Sequence, residues 1–182
     1  MTYGETLERC KHFGSGLINL GLGVGSGTRI GIFATNSIDY VVAEFAAYNH
    51  SMTVVPLYDT LGPSAVRLIL NEADIQCVLC DSEDRLRALI TESDHLAKLK
   101  IIILIGDVSE SYKSKAVGYG IKVHTMEQVE EMGRQSAADF QVCSCPVTVT
   151  SDFADSHRNL SLEISQSFVT QVGRLERRKE SC

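Results

Sequence analysis

The 182-residue sequence lacks a basic excess. It has 17 Lys and Arg against 23 Asp and Glu, a net charge of −6. No basic patch of the kind a phosphate backbone requires is present, which argues against a nucleic-acid partner. Long apolar runs are missing too. The longest purely aliphatic stretch, Ile101 to Ile105, falls far short of the roughly 20 residues needed to span a bilayer. The opening "MTYGETLERC" has early acids and no apolar centre, so it does not read as a secretory signal. A cytoplasmic location is expected.

Several catalytic and nucleotide-binding signatures are also missing. There is no G-x-x-x-x-G-K-[ST] loop and no G-x-S-x-G elbow. "GLGVGSG" (21–27) resembles a dinucleotide fingerprint, which needs glycines at relative positions one, three and six. Counted from Gly21 the sixth place is Ser26, and from Gly23 it is Thr28. The stretch also follows a helical pattern and precedes a strand, the reverse of the required order. It is expected to be a helix-to-strand connector. The five histidines, at 12, 50, 95, 124 and 157, show no ligand or triad spacing.

Six cysteines in a chain without an export signal read as reduced thiols. Cys77 and Cys80 form a C-x-x-C within "IQCVLCD", a strand pattern. Three residues apart on a strand, they point to opposite faces. That argues against a shared metal, and Cys143 and Cys145 are too isolated to complete a zinc set.

What the sequence does have is alternation. Helical spacing runs through "ETLERCKHFGSGLINLGL", with Gly21 as its stop. Strands are predicted at 28–33, 52–57, 76–81, 100–106 and, more weakly, 120–125. Between them, helices are predicted at 38–49, 63–73, 82–96 and 126–133. Asn36 or Ser37 is expected to cap the first of these and Ser82 the third. Strands this continuously apolar belong to a parallel sheet covered on both faces. The fold class is therefore α/β, an open, mostly parallel sheet of about five strands with helices on both faces. In such sheets ligands lie beyond the carboxyl ends of strands. The turn "LYDTLG" (57–62) sits at one such end. Asp59 or Thr60 is expected to cap the following helix and Gly62 to adopt an unusual backbone angle. A structural turn and a ligand contact both remain open.

Several segments together resemble a known family. "IGIFATNSIDY", "VPLYDTLG" followed by a helix and "NEA", "LKIIILIGD" and "GIKVHTMEQVEEMGR" are similar, in this order, to the amino-terminal portion of long-chain fatty-acid–CoA ligases of the AMP-forming adenylating superfamily. The resemblance covers about residues 2 to 136. It implies a two-step reaction, in which a fatty carboxylate displaces pyrophosphate from ATP and the acyl adenylate then acylates coenzyme A. It also implies Mg²⁺, which neutralises phosphate charge. Members of the family are often associated with endoplasmic reticulum, mitochondrial or peroxisomal membranes.

Residues 1–142 are accordingly expected to form a partial amino-terminal domain of such a ligase. The family's phosphate-cradling loop, rich in Ser, Thr and Gly and ending Pro-Lys-Gly, would follow. Instead the chain reads "CSCPVTVTSDFADSHRNLSLEISQSFVTQVGRLERRKESC", with one glycine, Gly173, and one lysine, Lys179. This divergent tail, 143–182, is expected to be unrelated to the family: an alternative transcript, a frameshift or a gene-model error. Leu160, Ile164, Phe168, Val172 and Leu175 follow near four-residue spacing. They form either an amphipathic helix for a membrane surface or partner, or a chance stripe in a disordered tail. No residue of 1–142 is assigned a catalytic, cofactor-binding or metal-binding role. The expectation is a chain inactive by itself that binds none of ATP, Mg²⁺ or coenzyme A. The alternative is a non-catalytic α/β binding module, for example one that associates with a full-length ligase. A sheet lacking its later strands is further expected to leave an apolar face and an open edge in water.

Overall fold

The computed structural model describes residues 2–58 and 60–136, all within one compact unit, Met1–Ser144. The expectations for Asp59, for Cys143 and Cys145 and for the tail stripe lie outside the described residues. The elements run α1 (Tyr3–Asn19), β1 (Arg29–Phe33), α2 (Ile38–Asn49), β2 (Thr53–Pro56), α3 (Pro63–Glu72), β3 (Cys77–Cys80), α4 (Glu83–Thr91), β4 (Ile101–Leu104), α5 (Glu110–Gly118), β5 (Lys122–Thr125) and α6 (Met126–Ser136). A single turn of 3₁₀ helix, Ser93–His95, follows α4.

The five strands form one parallel sheet in the order β2-β1-β3-β4-β5. All of β3 and β4 and the last four residues of β1 are buried. Alternate residues feed two separate cores. On one face Ile30, Ile32, Cys77, Leu79, Ile101 and Ile103 pack against α1, α2 and α6. On the other, Phe33, Val78, Cys80, Ile102 and Leu104 pack against α3, α4 and α5. Burying each large aliphatic side chain here contributes about 2 kcal/mol relative to exposure. Both faces of the sheet are thus covered among the described residues, so the expectation of a bare sheet face is corrected. Helices α1, α2 and α6 roof one face and α3, α4 and α5 the other.

Local chemistry sets the ends of the elements. Thr2 accepts the Glu5 N–H at 3.3 Å while Glu5 accepts the Thr2 N–H at 2.6 Å. This reciprocal capping box starts α1 two residues before the apolar pattern does. The helix stops at Gly21, whose φ of +92° lets its N–H reach Ile18 O at 2.9 Å and Leu22 N–H reach Leu17 O at 3.2 Å. That is a Schellman ending, with glycine in the left-handed position. The stretch 21–27 is a connector from α1 to β1, as its reversed context predicts.

The turn at 57–62 differs from expectation. Gly62 caps α3 with φ −68°, and no side chain bonds to the helix end. Thr60 is therefore not the cap, and Gly62 uses no special backbone angle. Pro63 fills the first helical position, where a missing N–H costs nothing.

Candidate functional site

In an open parallel sheet a ligand crevice forms where consecutive connections leave to opposite faces. Here α2 leaves β1 for one face and α4 leaves β3 for the other. The crevice therefore lies between the carboxyl ends of β1 and β3, where Phe33 pairs with Cys80 in register. Residues Ala34 to Ser37 and Asp81 to Ser82 border it. Ser37 accepts the Tyr40 N–H at 3.1 Å and Ser82 the Arg85 N–H at 3.5 Å, so each hydroxyl begins its helix, as expected.

The chain fills this crevice with its own anion. The Asp81 carboxylate accepts the Thr35 backbone N–H at 2.7 Å and the Thr35 hydroxyl at 2.8 Å. Its other oxygen accepts from Arg85 Nη1 at 2.7 Å. That same nitrogen donates to Phe33 O at 3.2 Å, and the guanidinium lies 4.9 Å from the Phe33 ring centre. Burial alone would raise the Asp81 pKa. The two Thr35 bonds and Arg85 outweigh burial and hold it below the usual carboxylate range. The first turns of the two flanking helices add Asp39, Glu83 and Asp84. Asp39 pairs with Arg9, Asp81 with Arg85 and Asp84 with Arg87, so the carboxylates that border this crevice are largely neutralised within the chain.

Beside the crevice, on the α3–α4 face, lies an apolar cleft of about 170 Å³. Phe33, Leu61, Pro63, Val66 and Leu89 line it, and so do Arg67 and Glu92, which pair at 3.3 Å. The turn at 57–62 contributes Leu61 to this cleft, leaves Tyr58 64% exposed and buries Leu57. It joins β2 to α3, and at its start Leu57 N–H bonds Ile32 O of β1 at 2.8 Å.

Other reactive groups are locked away. Cys77 faces the first core and Cys80 the second, as the strand spacing predicts. Burial pushes the Cys77 thiol up to about 12 and Cys10 up to about 11, and it raises Cys80 as well. All three stay protonated at neutral pH and are poor nucleophiles. Burial lowers His50 and His124. Among the described residues no group of three His, Cys, Asp or Glu side chains could hold a metal ion. No described helix is long and apolar enough to cross a membrane.

The Thr35–Asp81–Arg85 cluster was not singled out from sequence. Its signal was available: an acid directly after a strand, a serine cap, and an arginine four residues after the acid, the spacing of a helical ion pair.

The profile of the AMP-binding enzyme family matches residues 1–140. Long-chain-fatty-acid–CoA ligase 6 of Homo sapiens is 36% identical over 138 residues, 75% of this chain and 20% of that protein. Peroxisomal long chain acyl-CoA synthetase 6 of Arabidopsis thaliana is 33% identical over 140 residues, 77% of this chain and 20% of that protein. Among solved structures, the A-PCP didomain of a carboxylic acid reductase from Segniliparus rugosus, in complex with AMP, superposes with a TM-score of 0.66 at 21% identity. The match covers 74% of this chain and 20% of that one. A long-chain-fatty-acid-CoA ligase from Archaeoglobus fulgidus gives 0.56 at 19% identity, covering 73% and 23%. The chain spans about a fifth of the length of the curated relatives it matches. With its profile matched over residues 1–140 and its parallel sheet shared with solved adenylating enzymes, the chain belongs to the AMP-binding enzyme family.

Proposed function

We propose that residues 2–136 serve a long-chain fatty-acid–CoA ligase as scaffold, and that this chain does not adenylate fatty acids by itself. The observation that carries this is the occupied crevice. Where an open α/β sheet would receive a ligand, Asp81 is bound by Thr35 and Arg85. Arg9, which could otherwise meet an anion, is held by Glu130 and Asp39. The thiols are protonated, so neither acyl transfer nor metal ligation is prepared within these residues.

In the relatives' terms, the overall reaction is fatty acid, ATP and coenzyme A to acyl-CoA, AMP and pyrophosphate. The groups that hold ATP, Mg²⁺ and coenzyme A are then supplied by sequence these residues do not contain, and the tail, 143–182, departs from the family. The test is ATP–pyrophosphate exchange driven by palmitate, with purified chain. No exchange above a heat-inactivated control is expected, and robust exchange overturns the proposal.

A second reading, a non-catalytic module that pairs with ligase sequence, is favoured by one observation. The outward face of α2 is apolar and exposed.

A further inference from the structure

The cleft on the α3–α4 face has walls of carbon. Phe33, Val66, Leu70, Leu89 and Leu96 line it, each at most 8% exposed. α3 supplies Val66 and Leu70, α4 supplies Leu89, and Phe33 ends β1. The polar side chains among its lining residues are Arg67, on α3, and Glu92, just after α4, and they bond each other at 3.3 Å. Water is a poor occupant of such a space. A held water needs two to four polar partners, and the side chains here offer one pair already engaged with itself.

Three features choose the ligand. The first is size. An engineered cavity of about 150 Å³ with Leu, Ile and Phe walls stays dry and takes up benzene. A space of about 170 Å³ therefore suits a single six-membered ring with at most one or two methyl-sized substituents. The second is charge. The guanidinium and carboxylate at the cleft cancel, so an ionic ligand meets its own sign beside the opposite one. It would also give up its hydration to apolar walls. An uncharged ligand avoids both costs. The third is Phe33. Its ring is buried, and the Arg85 guanidinium lies 4.9 Å from its centre. A ring held in this way favours an aromatic neighbour, edge-on or offset, beyond the area that contact buries. We infer that the α3–α4 cleft is a binding site for a small uncharged aromatic molecule. This is independent of the scaffold proposal, which concerns the crevice at Asp81.

The test titrates toluene into the purified full chain and follows methyl-resolved NMR spectra. The Val66, Leu89 and Leu96 methyl signals should shift saturably below the solubility limit of toluene. Those of Leu7 and Leu68, on exposed sides of α1 and α3, should stay in place. Benzoate and benzylammonium present the same ring with a charge of either sign, and each should bind at least about tenfold more weakly than toluene. Ala88 lines the cleft from α4. Ala88→Phe sets a ring in the ligand's space and should weaken toluene at least about tenfold, whereas Leu68→Phe should bind it like wild type. No saturable shift in the wild-type chain, benzoate or benzylammonium binding as tightly as toluene, or undiminished binding by Ala88→Phe each overturns the inference. So does a dimer, seen by light scattering, that toluene dissociates, because a second copy then occupies the cleft. Should Ala88→Phe fail to fold, the wild-type chain decides. Nuclear Overhauser contacts from the toluene ring to the Leu89 and Leu96 methyls are expected, and their absence at saturation overturns the inference.

Discussion

Gly133 of α6 lies against the backbone carbonyl of His12 on α1 so closely that a Cβ at 133 would overlap the oxygen. Gly16 stands in the same relation to the Val129 carbonyl. The two helices approach backbone to backbone, and neither contact can relax by turning a side chain. Gly133→Ala or Gly16→Ala is expected to force the helices apart and cost about 3 kcal/mol or more, the upper end of overpacking. Gly118, near the end of α5, has open space where its Cβ would go. There the same change should stabilise by about 0.5 kcal/mol through helix propensity. Urea denaturation of the three variants reads the opposite signs, and a tolerated Gly133→Ala would refute the close approach.

Arg9 joins three helices. It donates to Glu130 through Nε at 3.1 Å and Nη2 at 2.6 Å, and to Asp39 through Nη2 at 2.7 Å. The Glu130 side chain is only 12% exposed. Arg9→Met should cost about 2 kcal/mol, chiefly by leaving that carboxylate without its charged partner. The double variant Arg9→Met/Glu130→Met should recover part of the loss. Chemical denaturation of the full cycle decides it: strict additivity would show that the pair is not coupled.

Asp81 ties the β1 and β3 ends together, so Asp81→Ala should cost about 2 kcal/mol, while Asp81→Asn, which keeps one acceptor, should cost less. The folded carboxyl sits below its usual pKa. Its contribution is therefore complete above the unfolded value of about 4 and disappears as pH falls through the lower folded value. Acid unfolding of wild type should steepen below about pH 4 relative to Asp81→Asn. Superposable acid-unfolding curves would count against the Thr35 and Arg85 contacts.

Most of the fold was legible because its signals are local. All five strands appear within two residues of their predicted bounds at each end. Unbroken apolar runs such as 101–105 admit little else when flanked by helical patterns. α5 was missed because Ala116 is its one buried hydrophobic residue among those described, so "ESYKSKAVG" has no apolar stripe to read. The predicted helix at 82–96 ends early, at Thr91, and gives way to a 3₁₀ turn. The candidate site was opaque for a different reason. Thr35 and Asp81 are 46 residues apart, and only the strand order β2-β1-β3 brings them together. The crowding of Gly16 and Gly133 is likewise a tertiary fact, invisible to helical spacing.

The C-x-x-C should behave as two separate core residues. Iodoacetamide applied to folded protein at pH 8 should leave Cys77 and Cys80 unmodified, since both are fully buried and their thiols titrate far above that pH. In urea both should alkylate. Peptide mass spectrometry resolves the two sites, and a 77–80 disulfide in the folded chain would contradict their placement on opposite faces of β3.

Two histidines should make the fold sensitive to mild acid. His50 is 8% exposed, and burial lowers its pKa. His124 is lowered by burial and by the nearby charges of Lys122 and Lys113. In the unfolded chain both titrate near about 6.5. The unfolded state therefore takes up protons first as pH falls, and stability present above about 6.5 drains away through the lower folded values. The urea midpoint should fall between pH 7.5 and pH 5, well before the Asp81 window opens. His50→Gln/His124→Gln should lower the midpoint at pH 7.5, where packing is lost, yet show a flatter slope toward pH 5. A midpoint that rises on acidification, or a slope unchanged in the double variant, would show that these rings charge in the fold as readily as in water.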